Sequence, residues 1–230
     1  LFSYLIFLLP FVIGYAQTPS SAYDFQETIF NYVISAIVLL SLVVAIIFSL
    51  KGVGNFNSTL KSIASKYGLT IKKAFLFGPD SASGYIDNRY FEISAVTKGS
   101  GKSSKRYTVA KVLCKQSINT RIEIGKENIF SVFASAVGFK DITLGHEAFD
   151  STFRVKAPQQ SGITITVKSI FDNDAREAFL MAGLSNTFLL TINNNLVEFQ
   201  QLNLVTDQNY LFKVIELLLM LSKKIESAAS

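Results

Sequence analysis

The chain has 230 residues, 49% of them apolar and 17% charged, with a formal net charge of +5. One cysteine excludes an intrachain disulfide framework and a Cys-rich zinc site, and one histidine excludes a multi-His metal centre. The 20 Phe and 9 Tyr exclude a chain too polar to fold.

Charge is unevenly spread. Residues 1–50 carry only Asp24 and Glu27, whereas 51–230 hold 22 Lys/Arg and 15 Asp/Glu. Residues 1–16, LFSYLIFLLPFVIGYA, form a short apolar run with Pro10, and it ends in the small residues Gly14 and Ala16. It reads as a signal-like segment or a first membrane segment. Residues 17–28 then form an extracytoplasmic loop. Residues 29–50 contain no charge, and as a helix they would be about 33 Å long, enough to cross a hydrocarbon core of about 30 Å. Residues 51–73 carry Lys51, Lys61, Lys66, Lys72 and Lys73 and no acid. Basic flanks stay inside, so this pattern places 51–230 in the cytoplasm, attached to the cell membrane by one or two passes.

In 51–230, the stretch GVGNFNS reads as a loop, Ser58 as an N-cap, 58–67 as a short amphipathic helix, and Gly68 as its C-cap. Strands are expected at 69–77, then at 84–86 and 89–97 around the turn Asp87-Asn88, and at 106–114 with a continuation at 120–124. Residues 126–138 read as a short helix or loop packed by Ile129, Phe130 and Phe133. Strands at 153–157 and 162–170 precede a helix at 172–181, capped by Asp172 and ended by Gly183. Strands at 187–192 and 196–204 flank Asn193-Asn194-Asn195, a hairpin signal because Asn tolerates positive φ. The last helix, 207–227, carries the apolar stripe Leu211, Val214, Ile215, Leu218, Leu219, Leu221 and Ile225, with Lys213, Glu216, Lys223 and Lys224 breaking it. The class is α+β: an antiparallel sheet covered by helices, behind an N-terminal transmembrane helix.

Gly101-Lys102-Ser103 resembles the end of a phosphate-binding loop, but Val96 stands where that loop needs Gly, and a strand rather than a helix follows. A basic hairpin tip with Lys98, Lys102, Lys105 and Arg106 explains the residues better. This tip, together with Lys51, Lys61, Lys66, Lys72 and Lys73, is a candidate contact for headgroups or a partner. No recognition helix or aromatic-basic platform supports nucleic-acid binding. Asp141, His146, Glu147 and Asp150 form an acidic cluster without metal-ligand spacing; a turn with capping acids accounts for it. Cys114 lies among apolar strand residues, which makes it a small buried hydrophobe rather than a nucleophile.

Three stretches carry a resemblance: Gly84-Tyr85-Ile86-Asp87-Asn88-Arg89; Thr97 to Lys102 with Tyr107-Thr108; and Gly145-His146-Glu147-Ala148-Phe149-Asp150-Ser151-Thr152-Phe153-Arg154-Val155. Over about 58–226 they are similar to an uncharacterised prokaryotic family of membrane-anchored domains, departing at His146, where that pattern usually has Asp. The resemblance implies a membrane-anchored cytoplasmic module and no activity. In the residues themselves, Phe149 and Phe153 can bury together while Asp150 caps a turn, which makes Gly145, Phe149, Asp150, Phe153 and Val155 a folding element. The reading as a whole is a non-enzymatic, cofactor-free interaction or scaffold protein, an accessory subunit of a membrane complex with the bilayer and other proteins as partners. The apolar stripe at 207–227 and the 98–106 loop are its candidate contact surfaces. The alternative is a membrane-associated enzyme, or a binder of a small ligand or anionic lipid, using the 141–150 cluster or the 98–106 loop.

Overall fold

The computed structural model describes residues 22–75, 78–100, 103–132 and 138–229, and their side chains except at 22–28, 45–50 and 131–132. The expected segment at 1–16, Lys102 and Phe133 lie outside the described residues. The chain divides into two compact units, Leu1–Lys51 and Gly52–Ser230.

In the first unit the backbone is helical from Ala22, the start of α1 (Ala22–Tyr67). Along 29–44 almost every side chain is exposed, including Phe30, Ile37, Leu39 and Leu40. Ser41 returns its hydroxyl to the Val38 carbonyl at 2.7 Å, so it adds no unsatisfied polar group. Among the described residues no helix is long and apolar enough to cross a membrane. The backbone is helical throughout 29–50, and the side chains are described over 29–44. The expectation for 29–50 is met as a helix only.

The second unit contains the sheet. Its strands are β1 (Thr70–Lys72), β2 (Ser81–Ile86), β3 (Arg89–Lys98), β4 (Lys105–Gly125), β5 (Phe139–Ile142), β6 (Arg154–Pro158) and β7 (Phe188–Leu202). Its further helices are α2 (Ile129–Val132), α3 (Glu147–Thr152), α4 (Ile163–Ile170), α5 (Asn173–Ala182) and α6 (Gln208–Ala229). Every strand pair is antiparallel, in the order β1-β2-β3-β4-β6-β5 with β7 also on β4. β4 organises the sheet. Residues 105–112 pair with β3 and 123–125 with β6 on one edge, while β7 runs along the other. The antiparallel sheet covered by helices is present as expected. One core joins Phe91, Ile93, Ala110, Val112, Ile122, Ile124, Leu190, Ile192, Val197 and Phe199 of the sheet to Phe56, Leu60 and Ile63 of α1 and to the α6 stripe.

The structure corrects five expectations. The GVGNFNS stretch is helical, and Ser58 lies inside α1 rather than capping it. Val53, Phe56, Leu60 and Ile63 fall on one buried face. Burying each contributes about 1.5–3 kcal/mol, which outweighs about 1 kcal/mol for each glycine in the helix. The strand expected at 69–77 stops at Lys72, because the Ala74 N–H leaves the ladder and donates to the Asp80 carboxylate at 3.0 Å. Residues 163–170 form a helix, not a strand: Ile163, Val167 and Ile170 share a buried helical face. Residues 188–202 form one strand, not a hairpin. Asn194 does adopt φ +55°, but at a bulge, where β4 advances from Leu113 to Arg121 while β7 moves only from Leu196 to Asn193. The α6 stripe is buried in the protein's own core and is no contact surface.

Candidate functional site

The 144–155 segment is built from local hydrogen bonds. Gly145 has φ +79°, a conformation only glycine adopts freely, and it turns the chain into α3. The Asp150 carboxylate accepts three backbone N–H groups, from Leu144 at 3.1 Å, Gly145 at 2.8 Å and His146 at 3.0 Å. His146 is the N-cap of α3, its Nδ1 accepting from the Phe149 N–H at 3.3 Å. That leaves the ring proton on Nε2, 3.1 Å from Glu177 Oε1. Arg154 donates to the Asp150 carbonyl at 2.6 Å and to Glu127 at 2.8 Å.

Beneath this turn the rings of Phe149 and Phe153 lie 5.1 Å apart, and both also meet Phe179 at 5.7 Å. Phe153 continues to Phe188, which stacks on Phe199 at 5.6 Å. The expected burial of Phe149, Phe153 and Val155 and the capping by Asp150 are what the structure has. Phe153, though, ends α3, with its N–H on the Phe149 carbonyl at 2.8 Å, and β6 begins one residue later. Asp141 sits on β5 opposite Lys156 of β6, 3.7 Å from its ammonium. Asp150 holds the His146 backbone N–H, while the His146 ring meets Glu177 and Asp141 meets Lys156; among the described residues no three such side chains are grouped to hold a metal ion.

The basic candidates have different surroundings. Lys98 and Lys105 face each other where the β3–β4 hairpin opens, and the link between them leads from strand to strand. Gly99 is required there, because its φ is +90° and a Cβ would stand 2.7 Å from the Ser103 carbonyl oxygen. Lys98 donates to Gln200 at 2.5 Å, and the Arg106 carbonyl accepts from the Asn203 N–H at 2.7 Å. Lys66 lies 3.7 Å from Glu216 and 3.9 Å from the Phe212 ring centre. Lys73 pairs with buried Asp80 at 2.8 Å. Burial alone would raise the Asp80 pKa; the Lys73 hydrogen bond, the Ala74 N–H and the charges of Lys73 and Lys61 outweigh it and hold it low. Lys51, Lys61, Lys72 and Lys105 are exposed.

The sequence reading missed one polar node. Arg89, at the start of β3, grips Glu226 of α6 through Nε at 3.0 Å and Nη2 at 2.5 Å, with side chains only 8% and 16% exposed. Glu226 also accepts from the Lys115 N–H at 2.8 Å. Burial pushes the Glu226 pKa up, but the Arg89 hydrogen bond, the Lys115 amide and both positive charges overcome it and lower it. Cys114 lies beside this pair, and burial and the Glu226 charge push its thiol to about 12 against the pull of Arg89, which keeps it protonated. Nothing in the local sequence pairs them, since Arg89 and Glu226 lie 137 residues apart.

No family model and no curated protein matches the chain. Among solved structures, the crystal structure of the mycobacterial trehalose monomycolate transport factor A, TtfA, is similar in fold, with a TM-score of 0.51, 8% identity, and 74% of this chain and 93% of that chain covered. At that identity the likeness shows an α+β fold in common.

Proposed function

We propose that this chain is a membrane-anchored, non-enzymatic interaction module, an accessory subunit of a membrane assembly, with residues 29–50 as its anchor and 51–230 on the cytoplasmic side. The observation that carries the reading is the exposed row of Ile, Leu, Val and Phe along 29–44 of α1. Such a surface is strongly unfavourable in water, and lipid covers it without stranding backbone polar groups, since a helix bonds its own backbone. Orientation follows from Asp24 and Glu27 before the run and the five lysines of 51–73 after it. Asp141, His146 and Asp150 of the 141–150 cluster are engaged in capping and pairing, which favours a binding module over an acid–base catalyst. The likeness to a transport factor favours an accessory role in membrane transport. We also propose that the motif residues place the chain with the membrane-anchored domains they resemble.

Two measurements test this. After alkaline carbonate washing of native membranes the chain stays in the pellet, and protease added outside sealed right-side-out vesicles leaves 51–230 intact. Release by carbonate removes the anchor, and digestion puts the domain in the opposite compartment. Isolation in mild detergent then brings down a partner in fixed ratio; a chain that migrates alone overturns the accessory-subunit reading.

A further inference from the structure

The connection between β1 and β2 is clamped at its neck. Buried Asp80 accepts from Lys73 Nζ at 2.8 Å and from the Ala74 N–H at 3.0 Å, and its own N–H donates to Asn57 Oδ1 of α1 at 2.8 Å. Gly78 closes against Ala74 so tightly that an added Cβ would lie 3.1 Å from the alanine methyl. Past this neck stands Phe75, 90% exposed, more than any other exposed large apolar side chain described. The ring is exposed directly after Ala74, whose N–H is held by Asp80. Lys72, three residues before it in the chain, is exposed, and Lys73 and Lys61 both act on Asp80. Asn57 follows Lys51 by six residues, which reach at most about 22 Å even fully extended. An aromatic ring flanked by lysines at this reach has the character of an interfacial membrane contact.

We propose that Phe75 is a second point of membrane attachment: its ring enters the headgroup region of the leaflet at which α1 ends, with Lys61 and Lys72 facing anionic lipid. The assignment rests on the anchor reading of 29–50 and adds an occupant for a surface that reading leaves bare.

The chain contains no tryptophan, so Phe75→Trp in the full chain is a sole reporter. Reconstituted in vesicles of phosphatidylcholine and phosphatidylglycerol, with folding verified by circular dichroism, its emission shifts to the blue relative to detergent. Bromine carried high on the acyl chains quenches it. The quenching is weaker in vesicles of phosphatidylcholine alone. Red, unquenched emission in vesicles overturns the proposal. So does blue emission that brominated lipid leaves unquenched, which means that protein, either a second copy or a partner, covers the ring. Quenching that is equal with and without phosphatidylglycerol overturns the anionic surface as occupant. Ile37→Trp, made separately, reports the anchor. If it is quenched while Phe75→Trp is not, this inference fails and the anchor stands; the reverse result removes the anchor and leaves the loop contact.

Discussion

Residues 29–44 of α1 and residues 211–225 of α6 are both helical and both rich in Leu, Ile and Val, yet one row is exposed and the other buried. The difference lies in what interrupts them. In α6, Lys213, Glu216, Lys223 and Glu226 give the helix a polar side, so its apolar residues have one direction to face, and the fold supplies β4, β7, α4 and α5 there. In 29–44 there is no charge to define a side, and among the described residues its side chains are almost all exposed. Total hydrophobicity does not separate the two helices; the presence of a polar face does.

The contrast can be broken most sharply at the charge on the buried helix. Glu226→Ala leaves Arg89 buried without its carboxylate and is expected to cost about 3–5 kcal/mol, read from urea unfolding. The double variant Arg89→Met with Glu226→Met recovers most of that loss; a double variant as unstable as the single would mean that packing, not charge, holds the node. Next, Leu218→Ala in the core is expected to cost about 2–5 kcal/mol. Ile37→Ala in the exposed row is expected to leave the unfolding midpoint of the domain within about 0.5 kcal/mol. Equal effects would show that the two rows are not differently covered.

Acid should act on the buried helix and not on the exposed one. Glu226, Asp172 and Asp80 all have pKa values held below the ordinary carboxylate range. The unfolded chain therefore takes up these protons first. Their stabilisation is complete above the ordinary carboxylate pKa of about 4 and is lost as pH falls through the lowered folded values. Urea midpoints measured downward from neutral pH should drop, and Glu226→Gln should flatten the curve. A variant that keeps the full slope would place the titrating group elsewhere. The smallest effect is expected at Ser58. As an N-cap its loss would cost about 0.5–2 kcal/mol; inside α1, Ser58→Ala should change stability by less than about 0.5 kcal/mol.

Features fixed by neighbours in the chain were legible. Asp87 and Asn88 both take positive φ at the β2–β3 turn, and Asp172 caps α5 at the Ala175 N–H with Gly183 at φ +64° behind it. The Gly145–Phe149–Asp150–Phe153 element was legible for the same reason, because its bonds span a few residues. Features decided by distant packing were not. Ile163, Thr164, Ile165, Thr166 and Val167 alternate like a strand, but Ile163, Val167 and Ile170 also suit a helix, and the core selected that period. Asn193 to Asn195 looked like a turn because the sequence does not show that β4 brings extra residues to face them. Arg89 and Glu226 lie 137 residues apart, and no local pattern announces such a pair. Phe75 was read as part of a strand until Asp80 drew the chain out of the ladder.

The register shifts in β4 also set where this protein can change length over evolution. Between Leu113 and Arg121 the strand already runs out of step with β7, so gaining or losing one residue there alters a bulge and leaves the flanking ladders aligned. The same event between Phe91's partner Val112 and Val96's partner Tyr107 would send Ala110 and Val112 to the opposite face of the sheet. Homologous chains should therefore differ in length at 114–120 and keep a constant count through 107–112.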